Sequence, residues 1–167
     1  MLNLFLKIFS PRLPVAVSPC RIGFNMRWIF FDEILEIKKG AHVRALGRLP
    51  ETDISPEVLL IEMMAQAGGI LLGAENDFKE DVVFAKIEAT QFPAKIYPHE
   101  VVEVFVKPET LRAEGSWVEG TVKNSRAVFA TGKIMLMNAG ALVSGKKTST
   151  TFHERFMQHF KIRAKVQ

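Results

Sequence analysis

Ser55-Pro56-Glu57-Val58-Leu59-Leu60-Ile61-Glu62-Met63-Met64-Ala65-Gln66-Ala67-Gly68-Gly69-Ile70-Leu71-Leu72-Gly73 reads as one helix, apolar on nearly every side, with one acid in its middle. Ser55 suits the N-cap, and Pro56 fits the first helical position, where its missing N–H costs nothing. Glu57 complements the positive end of the helix dipole. A helix that is apolar all round belongs in a core, not on a surface. An ionised carboxylate within it is costly unless paired or put to use. Glu62 is that carboxylate. Gln66 follows one turn later on the same face, with Gly69 and Gly73 beyond. A narrow polar and small stripe therefore runs along an otherwise bulky helix, as the wall of a site would.

The 167 residues suffice for one domain with a substantial core. The single cysteine, Cys20, excludes an internal disulfide and a four-cysteine zinc site. It lies in an irregular segment with no base in position to activate it, which predicts an inert thiol. The net charge of +4 is carried by the ends. Residues 1–28 hold Lys7, Arg12, Arg21 and Arg27 without an acid, and residues 146–167 hold six Lys/Arg against Glu154 alone. The middle is net acidic, which argues against a nucleic-acid surface on the domain. Solvated tails explain basic ends most simply, with an acidic partner or membrane as the alternative. No apolar run approaches the roughly 20 residues needed to span a bilayer. The opening Met1–Phe9 is short and lacks the early positive charge of a secretory signal.

Around the helix the chain reads as strands. Residues 28–37 are rich in aromatic and branched side chains. Lys38-Lys39-Gly40 is a turn, and 41–49 alternates, with Val43, Ala45 and Gly47 on one face and His42, Arg44, Leu46 and Arg48 on the other. After the helix come strand candidates at 82–92, 101–107, 116–123 and 127–137, expected as a meander. In the first of these Val83, Ala85, Ile87 and Ala89 alternate. Residues 152–166 read as a short basic amphipathic helix. Two strands, a buried helix and four more strands make an α+β fold. A helix apolar on all sides needs a sheet curved around it, which is the hot-dog arrangement. The expected organisation is an N-terminal extension over 1–27, a hot-dog domain over 28–138, and a linker with the basic helix over 139–167. One such unit leaves a sheet edge exposed, which a dimer would cover.

Pro56-x-Val58-Leu59-x-x-Glu62-x-x-Ala65-Gln66-Ala67-Gly68-Gly69 resembles the central helix of the hot-dog 3-hydroxyacyl-(acyl-carrier-protein) dehydratases of fatty-acid synthesis. Residues 28–36, 84–92 and the turn Pro98-His99-Glu100 are similar to that family's flanking segments, so the resemblance covers roughly 26–137. It implies elimination of water from a 3-hydroxyacyl thioester. A histidine takes the C2 proton, a helix carboxylate protonates the departing hydroxyl, and the two come from opposite subunits. Helix-start amides polarise the thioester carbonyl. Glu62 matches the acid, and Gln66 matches the glutamine one turn on. The histidine does not match. The family's Gly-His-Phe-Pro loop corresponds to Gly47-Arg48-Leu49-Pro50, with Arg48 at the histidine's place, and the family's helix-start glycine is Glu57.

The candidate site is thus Glu62 as the acid, with Gln66, Glu57, Val58, Gly69 and Arg48 around the substrate. Arg48 or Arg44 is also a candidate partner that would neutralise Glu62. His42 is a remote candidate base. His99, His153 and His159 read as surface groups. Met63, Met64, Met135 and Met137 read as core filler or as the lining of an acyl tunnel. No metal or cofactor is called for. The expected partners are an acyl carrier protein or coenzyme A thioester and a second hot-dog subunit, identical or different, in the cytoplasm. The alternatives to a dehydratase are a non-catalytic subunit or acyl-thioester binding module paired with a histidine-bearing chain, and an acyl thioesterase.

Overall fold

The computed structural model describes residues 29–139 and 154–167. Expectations about the N-terminal extension, Cys20 and His153 lie outside the described residues. Six strands and three helices follow in the order β1 (Phe31–Lys38), β2 (His42–Arg48), α1 (Pro56–Glu75), β3 (Val82–Gln91), β4 (Val101–Arg112), β5 (Gly115–Lys123), β6 (Val128–Asn138), α2 (Glu154–His159) and α3 (Ile162–Lys165). The strands form one antiparallel sheet in the order β1-β2-β4-β5-β6-β3. It curves around α1, and the α+β hot-dog fold is the observed one.

Alternation sets which side of each strand meets the helix. Val43 and Ala45 on β2, Val102, Val104 and Val106 on β4, and Ile134 and Leu136 on β6 are all at most 1% exposed. They close on Leu60, Met63, Met64, Ile70, Leu71 and Leu72 of α1. Two glycines make room for one methionine. A Cβ on Gly120 would lie 2.6 Å from the Met64 sulfur, and one on Gly132 would lie 3.0 Å from its methyl. Met63 and Met64 are core filler, whereas Met135 and Met137 alternate out of the core on β6. The four methionines do not line one tunnel.

Three expectations change. The strands after α1 are not a simple meander: β3 crosses to the far edge and pairs with β6, leaving β4 beside β2. Strict alternation along β3 also fails. Irregularities between Phe84 and Lys86 and between Ile87 and Ala89 put Phe84, Ile87 and Thr90 opposite Leu136, Ile134 and Gly132. Directly opposed residues share a face, so the spacing along the helix-facing side of β3 becomes three. Finally, β4 runs past Pro108 to Arg112. Its pairing with β2 ends at Val106, so the missing N–H of Pro108 breaks no ladder on that side.

The basic C-terminal segment is two short helices, broken where Lys161 takes a left-handed φ of 52°. It packs into the same core: Met157, Phe160 and Ile162 are at most 5% exposed. Helix α1 is itself long and apolar enough to cross a membrane by length and composition, contrary to the expectation that no such segment exists. Most of it is buried inside the sheet, which is what a core helix requires.

Candidate functional site

The site follows from what the sheet leaves uncovered. At 100° per residue, Val58, Glu62, Gln66 and Gly69 fall on one line along α1, opposite the side that packs on β4 and β5. They are the more exposed positions of the helix: Val58 is 53% exposed, and Glu62, Gln66 and Gly69 are half-buried. The stripe stops there. Gly73 is buried, and its carbonyl accepts the Asn76 and Phe78 amides as the helix ends. Adjacent glycines mark the boundary. A Cβ on Gly68 would come within 2.6 Å of Leu136, whereas one on Gly69 would meet nothing within 4 Å.

Glu62 is held by its own helix. The Gln66 side-chain amide donates to Glu62 Oε1 at 3.0 Å. The other end of Gln66 accepts the backbone N–H of Phe30 at 3.2 Å, just before β1. Gln66 therefore ties the carboxyl to the sheet through one side chain. Burial pushes the Glu62 carboxyl above the usual carboxylate range, and the hydrogen bond from Gln66 pulls it only partly back. Neither candidate arginine neutralises it. Arg44 bonds Glu103 at 2.8 Å and lies 3.8 Å from Glu36, while Arg48 donates to the His99 carbonyl at 3.0 Å. Among the described residues, no cation pairs with Glu62.

The helix start is also occupied. The Ser55 hydroxyl donates to the Glu57 carboxylate and does not cap the helix backbone. That carboxylate also accepts its own backbone N–H, and both bonds lower its pKa, the Ser55 bond more. Glu57 thus covers its own amide at the helix start. The Ser55 carbonyl accepts from Val58 and Leu59.

The three described histidines lie elsewhere. His42 alternates to the outer face of β2, 3.1 Å from Glu36 and tilted over Phe105 at 5.5 Å between ring centroids. It is on the wrong side of the sheet to act with Glu62. His99 is exposed in a turn, 3.4 Å from Glu51, and His159 is exposed at the end of α2. The structure brings Val58, Glu62, Gln66 and Gly69 onto one face and places Glu57 at its start. It holds Arg48 against the turn before β4, away from that group. Sequence patterning missed the Phe30 amide, because a contact across 36 residues leaves no local signal.

Two surface hollows occur elsewhere. One of about 180 Å³ lies between β1 and the C-terminal helices, and one of about 690 Å³ lies beside Trp117 on the outer face of β4–β6. Neither includes Glu62, whose face is open to a neighbour.

No protein-family model matches the chain. The 3-hydroxyacyl-(acyl-carrier-protein) dehydratase FabZ of Hydrogenobaculum sp. is 32% identical over 134 residues, covering 71% of this chain and 89% of that protein. The Geobacillus thermodenitrificans FabZ is 31% identical over 117 residues, 63% of this chain and 77% of the enzyme. The Clostridium tetani FabZ is 33% identical over 92 residues, but the match spans only 65% of its length. Among solved structures, the dehydratase heterocomplex ApeI:P from Xenorhabdus doucetiae superposes with a TM-score of 0.56 at 15% identity, over 69% of this chain and 86% of that one. A hypothetical thioesterase with coenzyme A from Streptococcus pneumoniae gives 0.54 at 10% identity, over 70% and 88%. These structures share the fold alone. The sequence relatives carry more, because two of them are above 30% identical over most of their own length. The chain belongs to the hot-dog 3-hydroxyacyl-(acyl-carrier-protein) dehydratase family.

Proposed function

We propose that the chain supplies the acid half of a 3-hydroxyacyl-thioester dehydratase site, with Glu62 as the proton donor. The observation that carries this is a carboxyl whose burial raises its pKa, aimed by Gln66 and paired with no cation among the described residues. Hydroxide is a poor leaving group, and a positioned acid with a raised pKa assists its departure by donating a proton. In the reaction a base removes the C2 proton, the C2–C3 double bond forms as the C3–O bond breaks, and Glu62 protonates the oxygen that leaves as water. Val58 and Gly69 flank the acyl chain, Gln66 orients Glu62, and Glu57 stands at the thioester end, while Arg48, held on the His99 carbonyl, takes no part. The thioester is carried by an acyl carrier protein or coenzyme A, and the protein works in the cytoplasm.

The base comes from a second hot-dog chain set against the open stripe. Arg48 stands where the family's loop histidine would be, and His42 faces away from the helix, which favours a histidine-bearing partner over an identical copy. On that second reading the chain alone is a non-catalytic subunit that binds acyl thioester. Incubating the purified chain with 3-hydroxyacyl thioesters, with and without a histidine-bearing hot-dog subunit from the same host, tests both. The expected result is enoyl product only with the partner present, and a loss of at least about 100-fold in Glu62→Gln. Free acid and thiol as the products would indicate a thioesterase instead. Equal turnover by Glu62→Gln would overturn the assignment.

A further inference from the structure

The sheet has two ends, β1 and β3, and they are finished differently. At β1 the chain returns to its own edge. The Gln167 amide donates to the Ile37 carbonyl at 2.9 Å, and the Gln167 carbonyl accepts the Lys39 amide at 3.0 Å, closing a parallel bridge between Ile37 and Val166. The Lys165 ammonium donates to the Ile34 carbonyl and lies 3.4 Å from Glu33. Three backbone groups spread along β1 are therefore satisfied by residues 165–167. The segment is anchored, not merely laid on: Met157, Phe160 and Ile162 are buried in the core just before it, and the Phe156 and Phe160 rings stack 5.1 Å apart.

At β3 the described residues place no strand on the far side. Residues 85–89 are exposed, and Ile87, on the helix-facing side, is 44% exposed. An open edge is a template for another chain. Two chains joined at their β3 edges make one continuous sheet, whose ends are then the two β1 strands. If β1 were open as well, that sheet could extend by further pairing at its β1 ends, because each chain would then carry two different open edges.

We infer that residues 154–167 are an edge strap that ends the sheet at β1 and so confines association with another hot-dog chain to β3. A lysine drawn onto the edge and a covering segment are both means by which sheets resist onward pairing. The strap rests on the fold and not on the proposed chemistry, so a chain that turns over no thioester would still keep it.

Removing residues 165–167 tests this while leaving Met157, Phe160 and Ile162 in place. Two readouts are taken on the full chain and the variant: amide hydrogen exchange at Lys39, and mass by light scattering over a hundredfold range of concentration. The expected result is a protected Lys39 amide and a constant mass for the full chain. In the variant, exchange at Lys39 is at least about tenfold faster, and species heavier than the full-chain assembly grow with concentration. Should the shortened chain not fold by circular dichroism, removal of Gln167 alone, which takes away its bonds to both Ile37 and Lys39, is judged by the same readouts. A Lys39 amide that is unprotected in the full chain overturns the inference. So does loss of protection with no change in mass.

Discussion

Gly68 and Gly69 are neighbours in one helix, yet they face different worlds. Gly68 is pressed against Leu136 and Val118, and Gly69 looks onto open space. The same division runs the length of α1. The sheet-facing side, with Leu60, Met63, Met64 and Leu71, has been closed by the chain itself. The other side, with Val58, Glu62, Gln66 and Gly69, has been left for something else to cover. The first side is determined by packing volume, and its residues answer to stability. The second carries the one carboxyl of the helix interior, and its residues answer to what docks there. A substitution that obeys the wrong set of rules would show that this division is misplaced.

The largest expected effect is on chemistry. Glu62→Gln removes the donated proton but keeps the shape, so turnover with a base-bearing partner should fall by at least about 100-fold, measured as enoyl formation. Stability should move the other way. The folded Glu62 carboxyl has its pKa raised, so its contribution to stability is full below the ordinary carboxylate pKa and is lost as pH rises through the raised value. Glu62→Gln should therefore remove that decline, leaving the variant relatively more stable at neutral pH. Thermal melts of both proteins across pH 4–8, a range of roughly ordinary carboxylate titration and above, check the sign.

Next come changes to the closed side. Gly47→Ala would put a Cβ 2.2 Å from the Phe30 carbonyl and 2.4 Å from the Met63 methyl, and backbone cannot step aside cheaply. It should cost about 1–3 kcal/mol, read from urea unfolding. Gln66→Leu takes the partner from the Phe30 amide, at a cost of about 1 kcal/mol. It should also raise the Glu62 pKa further, because the bond from Gln66 lowers it. The smallest change is Gly69→Ala. With space for the methyl and a better helix former, it should stabilise the isolated chain by up to about 1 kcal/mol while weakening whatever occupies the stripe. A loss of stability there would mean that Gly69 is packed after all.

The helix and all six strands were legible in the sequence because each rests on a local signal: Pro56 at a helix start, an all-round apolar run, or alternation as in Val102, Val104 and Val106. Glu62 was legible for the same reason, as a charge in a place that should not hold one. What escaped depends on contacts between distant segments. The crossing of β3 to β6 is a pairing between distant segments, which no local pattern within β3 signals. The irregularities at Phe84/Lys86 and Ile87/Ala89 replace the alternation of Val83, Ala85 and Ile87 with a spacing no simple period predicts. The C-terminal segment read as one short basic amphipathic helix. The break at Lys161 and the use of Lys165 on the β1 edge depend on contacts with β1 that no local period shows. Of the arginines offered as partners for Glu62, Arg44 lies nearer to Glu103 and Glu36 on its own sheet face, and Arg48 bonds the His99 carbonyl.

Glu62 is a half-buried acid with a raised pKa on an open helix face. Carbon-13 NMR of glutamate side-chain carboxyls, assigned by comparison with Glu62→Gln and followed from acid to neutral pH, measures this directly. The expected result is one carboxyl, missing from the variant, that titrates above the ordinary glutamate range and moves higher still in Gln66→Leu. A Glu62 that titrates within or below the ordinary range would contradict it.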